Sequence, residues 1–223
     1  MHAGIAGFAH LPTFPLSDDG VGLARKTEIF FISTLAAYES IARRRLSDLT
    51  FLRDPLISET ATPWDLDSLR AEAKRPLTTD EQNLAAEFGG YLKNAQHDAK
   101  LLYDDGILLA AGTDAPYPGD FQGEGIHREL ELLVEAGLTP LQAISVATSN
   151  ASRLVGGQAE WGTLESGKLA NLVVVDGRPD QTIHDTHKIR YVIYRGAIID
   201  RNALKFDART DPGFRPFGSA ASN

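Results

Sequence analysis

The sequence contains no cysteine. That absence removes disulfides, thiolate zinc sites, iron–sulfur clusters and a thiol nucleophile, and leaves any metal to be held by His, Asp and Glu. It also leaves the cellular compartment open, because no redox signature is present. Basic residues are in the minority: 22 Lys and Arg stand against 30 Asp and Glu, a net charge of −8. A non-specific binder of nucleic acid or of anionic membrane needs a basic patch to displace counterions. Both classes are therefore excluded, with Arg43-Arg44-Arg45 as the one basic run. No stretch reaches the roughly 18 apolar residues that cross a bilayer. The opening MHAGIAGFAHLP has no basic region followed by an apolar core, so no export signal is expected in the sequence as written. Nucleophile elbow, phosphate-binding loop and dinucleotide fingerprint are missing too; Gly4-Ile-Ala-Gly7 lacks both the spacing and the following helix.

What is there is 223 residues, 43% of them apolar, enough for one large or two small domains with a real core. Residues 4–10 are small and apolar and end in His10-Leu11-Pro12, the pattern of a buried strand running into a loop. Ser17 is a candidate N-cap for a helix to Lys26, with Asp18 and Asp19 in the first turn, where the helix dipole favours negative charge. Residues 29–33 read as a second buried strand. Residues 38–76, charged and broken by Pro55 and Pro63, predict an elaborated loop with helical pieces at 39–46 and 66–74.

Thr79 is a candidate cap for a long helix to about Asp104, with Leu84, Phe88, Leu92, Ala95, Ala99 and Leu102 on one buried face. Residues 107–111 are continuously apolar, as in a parallel strand covered on both sides, and run into Gly112-Thr113-Asp114-Ala115-Pro116. Further helices are predicted over 125–136, closed by Gly137, and from Thr139-Pro140 to Ala147. This alternation predicts an α/β fold of parallel strands with right-handed crossovers. Beyond Gly157, short apolar strands at 172–176, 191–194 and 197–199 predict a small β-rich module over 158–209. Residues 210–223, rich in Pro, Gly and Ser, are expected to be a poorly ordered tail.

Asp114 is the most informative residue. It follows an apolar strand directly, so its carboxylate emerges at the C-terminal strand end, where α/β folds place their chemistry; the competing reading is an Asp that opens a turn or caps a helix. His10 stands in the equivalent place after the first strand, as a metal ligand or as a satisfied polar residue. Ligands gathered from separate strand ends lie far apart in sequence, so the long gap between the two is no objection, although a zinc site takes three or more protein groups. His127 opens the helix after Asp114, near the same rim, as a substrate contact or a helix-surface His. His97, His184 and His187, on a helix and in loops, are read as surface residues without partners at ligand spacing.

Four blocks carry a resemblance: Ala111-Gly-Thr-Asp-Ala-Pro116, Gly137-Leu-Thr-Pro-Leu-Gln-Ala-Ile144, Ala147-Thr-Ser-Asn-Ala-Ser-Arg-Leu154 and Gly162-Thr-Leu-Glu-Ser-Gly-Lys-Leu-Ala-Asn-Leu-Val-Val-Val-Asp176. In this order they resemble the C-terminal half of a metal-dependent amidohydrolase, in particular the imidazolonepropionase-like and dipeptidase branch. Gly7-Phe-Ala-His10 resembles the sixth barrel strand with its metal-binding His, residues 29–35 the seventh, and residues 191–200 the family's closing β-strands. The resemblance implies the last three βα units of a TIM-type (β/α)8 barrel over residues 1–157, plus a small C-terminal β module that forms part of a β-sandwich. It implies one or two divalent metals, zinc-like, at the strand ends. It implies hydrolysis of a C–N bond in an amide, cyclic amide or dipeptide by a metal-activated water. His10 and Asp114 would be metal ligands, and Asp114 would also shuttle the proton to the leaving nitrogen.

Nothing in the sequence corresponds to the family's first-strand His-x-His pair, fourth-strand Lys or fifth-strand His. A closed barrel of this kind takes about 250 residues, so a fragment with at most a partial metal site is expected. An open three-stranded sheet would expose apolar faces and edges, which favours homo-oligomerisation or association with the missing barrel part. Met1 directly precedes a strand, and the expectation is a chain cut from a longer one. Two alternatives stand beside this reading: a non-catalytic truncated domain acting as an assembly or regulatory partner, and a self-contained α/β fold whose Asp114 only caps a helix.

Overall fold

A computed structural model describes residues 4–205; His2 and the tail expected at 210–223 lie outside the described residues. Three short strands, β1 (Gly7–Phe8), β2 (Phe30–Ile32) and β3 (Leu109–Ala110), form a parallel sheet in the order β1-β2-β3. Gly7 pairs with Phe30 and Phe8 with Phe31, and on the other side Phe31 pairs with Leu109 and Ile32 with Ala110. The expected longer strands are thus trimmed to two or three paired residues, although backbone bonds reach just beyond them, from Phe30 to Ala6 and from Phe31 to Leu108. Phe31 and Leu109 are fully buried, and Phe8 stacks on Phe31 with ring centroids 5.3 Å apart.

Helix α1 (Asp18–Thr27) is capped by the Ser17 hydroxyl, which accepts from the Gly20 amide, as its sequence predicts. Next come α2 (Leu35–Ile41), α3 (Pro55–Thr60) and α4 (Pro63–Lys74), so the elaborated segment is mostly helical. The three arginines 43–45 do not make a basic patch: Arg43 pairs with Glu72, Arg44 with Glu39 and Glu135, and Arg45 with Glu124. Helix α5 (Thr79–Asp104) starts one residue earlier than expected, with Thr78 as cap, because Thr78 and Glu81 close a reciprocal capping box. Its buried face is Leu92, Ala95, Asp98, Ala99 and Leu102, whereas Leu84 is exposed. The buried Asp98 carboxylate accepts from the Leu16 amide and fixes the loop that follows His10.

Helix α6 (Gly125–Glu135) packs against α2 and α5. Helix α7 (Pro140–Ser145) does not stop near Ala147 but continues through a π-turn (Val146–Asn150) into α8 (Ala151–Leu154). The reason lies in β3. Its outward-facing groups find partners on this turn: the Ala111 amide donates to the Val146 carbonyl (3.3 Å), and Asn150 Nδ2 donates to the Leu109 carbonyl (2.9 Å). An unpaired strand edge is thereby satisfied without another strand. Strands β4 (Leu172–Val175), β5 (Ile189–Tyr194) and β6 (Ala197–Ile198) make a separate antiparallel sheet, which leaves Val173, Tyr194 and Ile198 exposed. A 3-10 helix at Ile183–His187 leads from this sheet back to α6. No helix of the described residues is long and apolar enough to cross a membrane.

Candidate active-site rim and a second polar cluster

Because the three strands are parallel, their C-terminal ends share one rim. His10 lies two residues past β1, Thr34 two past β2 and Asp114 four past β3. His10 Nδ1 is 3.0 Å from Thr34 Oγ1. Gly112 lets the last strand close over the middle one: a Cβ there would sit 2.6 Å from Ile32 Cγ2 and 3.6 Å from Thr34 Cγ2. The rim therefore runs from His10 through Thr34 to the loop that carries Asp114, with both outer side chains exposed. Thr34 (φ 48°) and Asp114 (φ 61°) are both left-handed. Asp tolerates that region, but a β-branched Thr is strained there, and such strain concentrates at functional sites. Burial raises the Tyr117 phenol above its ordinary pKa, and the adjacent Asp114 carboxylate, to which it hydrogen-bonds, adds to the shift.

Beneath the rim, α6 supplies a buried carboxylate. Glu129 Oε1 accepts from the Ser33 hydroxyl and the Leu35 amide (3.0 Å), and Oε2 from the Ala36 amide (2.8 Å). These two amides open α2, so Glu129 caps that helix from a distance. Thr34, the residue at the cap position, makes no capping bond and has its hydroxyl against His10 instead. Burial holds the Glu129 carboxyl up at about 7, against the pull of its donors. Asp120, buried with both carboxylate oxygens unpartnered, is also pushed up to about 7, by burial first and then by the charges of Glu129 and Glu124.

A second cluster lies on another side of the same helix. Glu131 Oε1 is 2.7 Å from His184 Nδ1 and 3.4 Å from His187 Nε2, while Oε2 accepts from Arg128 Nη1 at 2.8 Å. Burial alone would raise the Glu131 pKa; His187, His184 and Arg128 outweigh it and hold the carboxyl well below the usual range. His187 is not a surface residue, since its side chain is only 6% exposed, whereas His184 is 60% and His97 64% exposed. The expectation that His184 and His187 lack partners at ligand spacing is also corrected. They stand three apart on a 3-10 helix, where such positions eclipse, and so share a face. The signal in the sequence is the His-x-x-His spacing, which gathers the two rings on a 3-10 helix and has no such meaning in a loop.

The structure places His127 with this second cluster. Its Nδ1 is 3.0 Å from Thr186 Oγ1, its ring centroid lies 4.9 Å from that of His187, and burial followed by the neighbouring His187 lowers its pKa to about 4. Among the described residues the rim offers one imidazole and one carboxylate, donors of the right chemistry for a divalent metal but fewer than the three that a zinc site takes. Among the described residues, the group of three donors whose ligand atoms all fall within 4.8 Å of one another is Glu131, His184 and His187.

Comparison with known proteins gives this geometry a context. Imidazolonepropionase of Geobacillus kaustophilus (strain HTA426) is 34% identical over 85 residues, 38% of this chain and 20% of that protein. Ochratoxinase of Aspergillus niger is 32% identical over 123 residues, 53% of this chain and 22% of that protein. The matched stretch is thus about a fifth of the length of these curated relatives. Among solved structures, a Xaa-Pro dipeptidase with bound methionine in the active site superposes with a TM-score of 0.62 at 22% identity, over 89% of this chain and 40% of that one. A. niger ochratoxinase gives a TM-score of 0.59 at 21% identity, over 99% and 40%. The sequence profile described as the Amidohydrolase family matches residues 66–201. That match spans the loop of Asp114, helix α6 and the small sheet, and with the parallel rim it establishes that the chain belongs to the amidohydrolase family.

Proposed function

We propose that this chain is the closing part of a metal-dependent amidohydrolase: the last three βα units of a TIM-type barrel over residues 1–157, followed by a β module over 158–209. The whole protein would hydrolyse a C–N bond in an amide, cyclic amide or dipeptide. The observation that supports the reading is that His10 and Asp114 follow the outer strands of one parallel sheet at the same end, within a chain of this family. Exposed Val173, Tyr194 and Ile198 support the fragment reading, since a sandwich completed by further strands would cover them.

Amidohydrolases generally use divalent metals. His10 and Asp114 fit as two of the donors, and the rest would come from outside this chain. When bound, a divalent metal supplies Lewis-acid polarisation of the scissile carbonyl and activates water. Asp114 takes the proton from the attacking water as it adds to the carbonyl carbon, then delivers it to the leaving nitrogen as the C–N bond breaks. Thr34, bonded to Nδ1 of His10, holds the ring so that Nε2 is free to ligate. His127, whose ring lies against Thr186 and His187, takes no part in these steps.

The test is Asp114→Asn in the full-length protein, assayed on a panel of dipeptides and cyclic amides. Loss of kcat by about a thousandfold, with fold and KM retained, is expected for a proton shuttle that also ligates metal. Unchanged turnover overturns the assignment. That the described residues place two donors at the rim favours a second reading, a non-catalytic partner domain. A folded, metal-free homodimer without hydrolysis, occurring naturally at this length, would establish it instead.

A further inference from the structure

We infer that Glu131, His184 and His187 form a second divalent-cation site, distinct from the rim, that ties helix α6 to the 3-10 helix preceding β5. The inference goes beyond the proposed hydrolytic function, because none of these residues sits at the C-terminal end of a parallel strand.

Three observations carry it. The first is the donor set: two imidazoles and a carboxylate suit zinc and similar borderline cations, and their ligand atoms already lie within 4.8 Å of one another. Two ligands at zinc distance in a tetrahedral site stand about 3.3–3.4 Å apart. His187 Nε2 and Glu131 Oε1 are separated by 3.4 Å, while His184 Nδ1, at 2.7 Å from the same oxygen, would move outward by less than about 1 Å. The second observation is burial: 6% of the His187 side chain is exposed, so the ring is held within the fold with its two nitrogens facing carboxylates, Asp54 and Glu131. The third is the surround. Asp54 Oδ2 lies 2.7 Å from His187 Nδ1, which favours a proton on that nitrogen and turns the Nε2 lone pair toward Glu131. A carboxylate behind a histidine in this way is how metal-ligating rings are oriented.

The residues line a cavity of about 400 Å³, and His184 stands at its exposed side, which gives a cation an entry path. Positive groups stand nearby, with their charge already engaged in two cases. Arg45 is spent on Glu124, and Arg128 holds the other oxygen of Glu131, leaving Oε1 to the two histidines. Arg53 lines the cavity as well. A bound cation would join two segments about fifty residues apart, helix α6 and the 3-10 helix, so its role is structural.

The experiment uses the full chain, stripped with chelator and titrated with Co²⁺ while visible absorption is read, with Zn²⁺ competition to follow. A His10→Ala/Asp114→Ala variant removes the rim donors and isolates the second site. One equivalent of tetrahedral cobalt is expected in both proteins, with the bands lost in His184→Ala and the affinity reduced about 10–100-fold in Asp54→Asn, which keeps the cap on α3. His184 is exposed, so its variant folds, and circular dichroism checks it. Absence of cobalt binding in the rim variant overturns the site, as does an undiminished spectrum in His184→Ala. Either failure leaves the rim reading untouched, since that reading is tested through Asp114.

Discussion

Glu129 and Glu131 stand two residues apart on helix α6 and behave in opposite ways. Glu129 faces inward, with only neutral donors around it: a hydroxyl and two amides. Burial wins there, and the carboxyl is held up at about 7. Glu131 faces outward into the second cluster, where Arg128 and two histidines meet it, and its carboxyl is held down. The two sites are about equally rich in hydrogen bonds. What separates them is a cation, since a hydrogen bond from a neutral donor offsets only part of the cost of desolvating a carboxylate. The helix thus carries a site that tolerates a proton near neutrality beside one that rejects it.

The comparison breaks hardest at Arg128. Its guanidinium is shared between Glu131, Glu135 and Glu39, and Glu39 is 1% exposed. Arg128→Ala should lower stability by about 3–5 kcal/mol, because it strands buried charge, and the Glu131 carboxyl should move up toward that of Glu129. Urea unfolding and carboxyl titration by NMR measure the two effects. A loss under about 1 kcal/mol would mean that the surrounding carboxylates are not desolvated as the structure has them.

A smaller effect is expected at Asp120, which sharpens the contrast from the other side. A carboxyl with its folded pKa raised from 3.8 to about 7 binds its proton more tightly in the folded state, so stability falls as pH rises across that interval. Asp120→Asn removes the penalty. The variant should be more stable than the parent at pH 8 by about 2–4 kcal/mol and should lose most of that advantage near pH 4. Equal stability at both pH values would contradict the buried, unpartnered carboxylate. The smallest effect belongs to His184→Ala in metal-free protein. At 60% side-chain exposure its contact with Glu131 is worth less than about 1 kcal/mol, and thermal unfolding should barely move.

Much of the frame was legible because it is written locally. The Ser17 cap, the period of α5 and the Thr139-Pro140 start are each contained within a few residues, and each forms as its sequence predicts. The π-turn at Val146–Asn150 was not legible, since what sustains it is the edge of β3, whose Leu109 lies 41 residues before Asn150. Leu84 fits the helical period and is nevertheless exposed, because periodicity marks a face without saying where its cover ends. His10 and Asp114 could be singled out from their positions after apolar strands. The second cluster could not, for its donors come from α6 and from a 3-10 helix that gives no periodic signal at that length.

The cap on α2 has a consequence for how the rim comes into being. Thr34 sits where a helix would ordinarily find its own start signal, but its hydroxyl is turned to His10, and the amides of Leu35 and Ala36 wait for a carboxylate that lies 94 and 93 residues further along. A seven-residue helix has little stability of its own, and this one has no local nucleus. Its folding is therefore a long-range event that completes only when α6 docks. His10, which leans on Thr34, acquires its orientation in that same step, so the part of the rim that comes first in the sequence is among the last to be set.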